Sequence, residues 1–109
     1  HISPMEIVRL STFDRSAKKA KIAESEIAAL IDILASDPEA GAVIQGTGGL
    51  RKVRFAAGGK GKSGGARAIY VVKQTAGRLF LIAAYRKARQ EDLTPEQRKM
   101  FAKLAEALE

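Results

Sequence analysis

The sequence predicts an α+β fold of order β-α-α-β-β-β-α, with an antiparallel central sheet packed on helices. Three observations predict it: apolar residues at helical spacing from Glu24 to Ser36, an N-capped amphipathic segment opening at Thr94, and consecutive strand-like runs with glycine-rich turns across residues 50–89. At 109 residues the chain fits one domain with one modest core, taken as residues 5–109. The stretch His1-Ile2-Ser3-Pro4, ahead of Met5, reads as a cloning or tag remnant.

Met5 to Leu10 alternates weakly and reads as a strand. Ser11-Thr12-Phe13-Asp14 has the outline of a capping box and would start a short helix running to Lys21. In the next helix Ile27, Leu30, Ile31 and Leu34 fall on one face. Asp37-Pro38 ends it, because a residue before proline is pushed out of the helical region. Ala42-Val43-Ile44 then leads into the permissive turn Gly46-Thr47-Gly48-Gly49. Strands follow at 50–56, 66–74 and 78–86, joined by a glycine-rich loop from Ala57 to Gly65 and a tight turn at Ala76-Gly77. The apolar run Leu79 to Tyr85 suits a strand buried on both faces. Thr94-Pro95-Glu96-Gln97 supplies an N-cap, a proline at the first helical position and a capping-box glutamine. Phe101, Leu104, Ala105 and Leu108 mark the apolar face of that last helix, with Met100 beside it.

The formal net charge is +7, with pI about 10.0, and its distribution says more than its total. Between Ala40 and Gln90 there is no Asp or Glu, yet eleven of the 19 Lys and Arg lie there; the remaining eight face all 12 acids. A segregated basic segment points to a polyanion, most directly RNA. The absence of cysteine excludes a disulfide framework, a thiol nucleophile and thiolate metal sites. The one histidine is His1, so beyond the remnant the usual neutral-pH base and commonest metal ligand are missing. No cofactor or metal is expected. No apolar stretch is long enough to cross a bilayer and no signal peptide follows Met5, which predicts a cytoplasmic protein with no membrane partner.

Alternation in the strand at 50–56 sets Val53 and Phe55 toward a core and Lys52 and Arg54 on the opposite face. Two cations about 7 Å apart on one face match adjacent phosphates. The loop Ala56 to Ser63 carries Lys60 and Lys62 and fits a relaxed phosphate-loop pattern. That motif needs a helix at Ser63, and a strand follows instead, so a basic hairpin loop is the better reading. Arg67 enters at the start of the next strand, where it can turn toward the rim of a cleft. Tyr70 suits core packing with its hydroxyl at an edge. Tyr85-Arg86-Lys87 brings a ring and two cations near the same edge, and Tyr85 reads either as packing or as a base-stacking platform. Phosphodiester cleavage by an RNA 2′-hydroxyl is compatible with a site lacking histidine, because cations stabilise the phosphorane.

The run Gly46 to Phe55, the glycine/lysine loop, Gly64-Gly65-Ala66-Arg67-Ala68-Ile69-Tyr70, Tyr85-Arg86-Lys87 and the acidic Glu91-Asp92-Leu93-Thr94 together resemble the RelE/ParE superfamily of type II toxins, in particular its HigB-like branch. The resemblance covers nearly the whole chain from Met5. It implies a RelE-like fold and a ribosome-dependent mRNA endonuclease that enters the ribosomal A site and leaves a 2′,3′-cyclic phosphate. By motif match, Lys52 and Arg54 would contact phosphates, Arg67 would stabilise the transition state and Lys87 would complete the catalytic cluster. Arg51, Lys60, Lys62, Tyr70, Tyr85 and Arg86 would form the substrate-binding surround. RelE toxins carry a tyrosine near the C-terminal end where this chain has Asp92-Leu93, so that role is absent here or falls to Tyr85 or Tyr70. The expected partner is a cognate antitoxin, of the helix-turn-helix HigA-like type in this branch, with operator DNA engaged only through it. The alternative within the superfamily is a ParE-like, protein-binding inhibitor of DNA gyrase, which shares the fold.

Overall fold

The computed structural model describes residues 5–57 and 65–109. Residues 1–4 and the loop carrying Lys60 and Lys62 lie outside them. The elements are β1 (Glu6–Arg9), α1 (Ser11–Lys19), α2 (Glu24–Ser36), β2 (Ala42–Val43), β3 (Arg51–Phe55), β4 (Ala66–Lys73), β5 (Arg78–Arg86) and α3 (Pro95–Ala107). The α+β class and the order of the long elements follow the sequence expectation. A two-residue β2 is added, where only a lead-in to a turn was expected.

The sheet has five strands in the order β1-β5-β4-β3-β2. β2 through β5 pair antiparallel, but β1 pairs parallel with β5, with Glu6 opposite Arg78 and Arg9 opposite Leu81. The expected antiparallel sheet is therefore mixed. The two helices between β1 and the meander carry the chain back across one face, and such a crossover delivers a parallel neighbour.

Helices cover both faces, not one. Phe13 and Ala17 of α1 and Ile27, Leu30 and Leu34 of α2 pack with Val53, Phe55, Ala68, Tyr70, Leu79 and Leu81 in a first apolar cluster. Phe101 and Ala105 of α3 pack with Leu50, Ile69, Val71, Phe80, Ile82 and Tyr85 in a second. β5 supplies both clusters, which is why its sequence is an unbroken apolar run. A register shift between Ile69 and Tyr70 leaves Ile82 of β5 without an opposite residue, so Ile82 and Ala83 both join the second cluster.

The helix starts differ in how they are capped. α3 is as read from sequence: Thr94 Oγ1 accepts from Gln97 N at 3.1 Å and Gln97 Oε1 accepts from Thr94 N at 3.0 Å. The box expected at Ser11 does not form, because the N-cap residue is Leu10, without a side-chain cap, and Ser11 already lies in the helix. Thr12 instead donates to Ile82 O at 2.6 Å. At the base of the β3–β4 loop, a Cβ on Gly65 would lie 2.9 Å from Ala57 O, so only glycine lets the two chains close there. Among the described residues no helix is long and apolar enough to cross a membrane.

Candidate nucleic-acid interface

Strand register gathers part of the basic segment into a row. Arg54 of β3 lies opposite Arg67 of β4, and Arg67 lies opposite Tyr85 of β5. Neighbouring strands are about 4.8 Å apart, so these three side chains rise side by side on the α3 face of the sheet. Lys52 shares that face one pair along, opposite Ile69. Lys87 follows the row, its backbone N–H donating to Gly65 O at 3.2 Å, with an exposed side chain.

The members of the row differ in access. Arg54 is exposed and makes no hydrogen bond or ion pair among the described residues. Arg67 is only 5% exposed, and its guanidinium donates to Ala66 O at 3.2 Å. Tyr85 is 9% exposed, and its hydroxyl has no hydrogen-bond partner among the described residues. Burial raises the Tyr85 pKa, with Asp92 adding to the effect and Arg67 opposing it. The phenol therefore keeps its proton at neutral pH, a donor and not a base.

The segment between β5 and α3 lies over this face. Leu93 packs in the second cluster with Tyr85 and Phe101. Asp92 accepts a short, charge-assisted hydrogen bond from Lys52 Nζ. That bond, ahead of the general attraction of Lys52, holds the Asp92 carboxyl below the usual carboxylate range. Gln90 braces the segment through Asp92 O at 2.8 Å and through the Gln97 side chain. Asp92 was not singled out from sequence as a ligand of Lys52. The signal available was its place in the first acidic pair after the acid-free stretch.

Three residues assigned to the substrate surround face the other way. Arg51 sits opposite Tyr70, away from Lys52, and donates to Gly41 O at 2.7 Å and Glu39 O at 3.4 Å. Arg86 donates to Ala20 O at 2.6 Å and Lys21 O at 2.9 Å, tying β5 to the end of α1. Tyr70 is fully buried in the first cluster. Its hydroxyl donates to Pro38 O and accepts from Gly41 N, each at 2.8 Å. A Cβ on Gly41 would come within 2.9 Å of that hydroxyl, so the glycine makes the contact feasible. These side chains hold the fold and do not join the row. The physical reason is alternation: each stands one residue from a member of the opposite face.

The described residues on either side of the loop at 56–63 belong to antiparallel strands, β3 ending at Phe55 and β4 opening at Ala66, so a strand is the next described element. That agrees with its exclusion as a nucleotide phosphate loop.

The family model of the RelE toxin of the RelE/RelB toxin–antitoxin system matches residues 5–109. Similar solved structures include the free E. coli toxin RelE in a double arginine-to-alanine form: 14% identity, 97% of this chain and 100% of that chain, TM-score 0.57. The RelBE2 toxin–antitoxin complex from Mycobacterium tuberculosis matches at 17% identity over 81% of this chain and 97% of that chain, TM-score 0.55. The RelE–RelB complex from Pyrococcus horikoshii matches at 17% identity over 80% and 99%, TM-score 0.53. At such identities these likenesses speak for the fold, and the family model speaks for the family. The chain belongs to the RelE toxin family.

Proposed function

We propose that this toxin is a ribosome-dependent mRNA endonuclease that inhibits translation by cutting messages through attack of the RNA 2′-hydroxyl. The observation that carries the reading is the Arg54–Arg67–Tyr85 row with Lys52 beside it on one sheet face. In such a cleavage the 2′ oxygen bonds to phosphorus, the bond to the 5′ oxygen breaks, and a 2′,3′-cyclic phosphate and a 5′-hydroxyl remain. The 2′ proton leaves and the 5′ oxygen gains one. Arg54 and Arg67 would neutralise the phosphorane, and a guanidinium fork matches two phosphoryl oxygens at once. Tyr85, holding its proton, suits donation to the 5′ oxygen. Lys52 and Lys87 would hold neighbouring phosphates, with Lys60 and Lys62 lengthening the basic track. The partner proposed is a cognate antitoxin of helix-turn-helix, HigA-like type, with operator DNA bound through it, and the cytoplasm is the compartment where the ribosome is met.

Purified ribosomes, a defined mRNA and this protein test the reading. Discrete cuts should appear by primer extension only when ribosomes are present. Intact messages together with inhibited DNA gyrase would replace it with the ParE-like alternative.

A further inference from the structure

α2 is apolar on both of its sides. Ile27, Leu30 and Leu34 turn into the first cluster. Ala28, Ala29, Asp32, Ile33, Ala35 and Ser36 turn outward, and Ile33 is left 46% exposed. A helix whose outer side is also apolar is ordinarily one that another element covers. Among the described residues these positions stay open. Val43 of β2 adds to the same side of the sheet. It pairs with Arg51, which stands on the Tyr70 face, and it is 53% exposed.

The charge of this region is the reverse of the basic segment. From Ile22 to Leu50 there are five acids and no Lys or Arg. Arg9 takes up Glu24 from outside the stretch. Arg51, beside Val43, is engaged by Gly41 O, Glu39 O and the Glu39 carboxylate. Asp32 and Asp37 have no ion pair among the described residues. The Arg54–Arg67–Tyr85 row lies on the other face of the sheet, so an occupant of α2 leaves it uncovered.

Charge and shape together select the occupant. RNA is repelled by the carboxylates. A second copy fits poorly, because α2 against α2 sets acids against acids. α1 of a second copy would offer its exposed Arg15, Lys18 and Lys19, but its large apolar residue, Phe13, is buried. A helix with large apolar residues on one stripe and Lys or Arg at its flanks meets both needs. Its apolar side chains seat among the alanines around Ile33, where small residues let two helix axes approach to about 8 Å. Its cations meet Asp32 and Asp37.

We propose that the outer face of α2 docks an amphipathic, cationic helix of a partner protein while the row stays free. The inference holds whether or not the row cuts messages.

A phage-displayed library of helical peptides, each about 18 residues long so that a helix can form, is panned on the full chain. Selected peptides are then mapped by backbone amide shifts in the labelled protein. The proposal expects peptides with apolar residues at i, i+4 and i+7 flanked by Lys or Arg, giving saturable shifts at Ala29, Ile33 and Val43. Ile33→Arg should weaken them about tenfold and Asp32→Lys about threefold. Both side chains are exposed, so the unfolding midpoints should not move. A single-stranded hexaribonucleotide should bind the peptide-saturated protein within about twofold of its affinity for the free protein, as expected of separate sites. Selected peptides that are acidic, or that shift only Lys52 and Arg54, overturn the proposal, and so does RNA that displaces the peptide. Shifts at Ile33 that grow with protein concentration, without peptide, would put a second copy on the face and overturn it too.

Discussion

The two faces of the sheet treat Arg51 and Arg86 on one side and Arg54 on the other in opposite ways. On the α1/α2 face, Arg51 and Arg86 are tied to backbone carbonyls, and the tyrosine among them, Tyr70, has both hydrogen bonds of its hydroxyl made. On the α3 face, Arg54 has no partner among the described residues and the Tyr85 hydroxyl has none either. One face is closed on itself, and the other is left incomplete. The same residue types therefore hold the fold together on one side and present unmet hydrogen-bonding capacity on the other. Net charge alone does not distinguish them; the pairing register does.

Substitutions that break this contrast should separate cleanly. The largest effect is expected from the open face. Arg54→Ala, and Arg67→Lys, which keeps the charge and loses the fork, should each lower ribosome-dependent cleavage by about 10²–10³-fold, with an unchanged circular dichroism spectrum. Wild-type rates in both would remove the row from the chemistry. On the closed face Tyr70→Phe leaves Gly41 N and Pro38 O without their partner and should cost about 1–3 kcal/mol in thermal or denaturant unfolding. Its cleavage rate should stay at the wild-type level, and a fall would place Tyr70 in the site after all. Arg86→Ala should cost about 1 kcal/mol of stability, because its two carbonyls lie where water can replace it in part. The salt dependence of RNA binding should be unaffected, since that charge does not face the row.

The smallest effects concern the tether between the segment and β3. Asp92→Asn releases Lys52 for phosphate and should steepen the salt dependence of RNA binding by about 0.7 in log–log slope, the share of one extra contact on a single strand. A flatter slope would mean that Asp92 assists binding. The pH dependence has a fixed sign. Lys52 lowers the Asp92 pKa in the folded state, so the stabilisation is complete above about pH 4, the ordinary aspartate value, and is lost as pH falls through the lower folded value. Hydrogen exchange at residues 90–93 should quicken through that interval in the wild type and not in Asp92→Asn.

Much of this contrast was legible in the sequence. Periodicity located α2, and the Thr94 box located α3, because those signals are local. The acid-free stretch located the basic segment, and strand alternation put Lys52 with Arg54 on one face. The alignment of Arg54 with Arg67 and Tyr85 depends on register between strands, which no single segment carries. The same holds for the parallel pairing of β1: its partner is some seventy residues away, with Glu6 opposite Arg78. Ser11 misled because a capping pattern is also satisfied by a helix that starts one residue earlier and uses Thr12 elsewhere. Arg51, Tyr70 and Arg86 enter the expected surround through the resemblance, whereas alternation alone sets Arg51 with Val53 and Phe55, and Tyr70 suits core packing.

The pairing of the first strand with the last also governs when the molecule comes into being. β1 has no partner until β5 has been synthesised, and α1 reaches its hydrogen bonds to Ile82 and Ala84 only then. At about 5–20 residues per second, the chain spends several seconds or more with its opening strand and helix undocked. The row itself needs β3, β4 and β5 in register, so it assembles only after β5 has been made, however early its first arginine emerges.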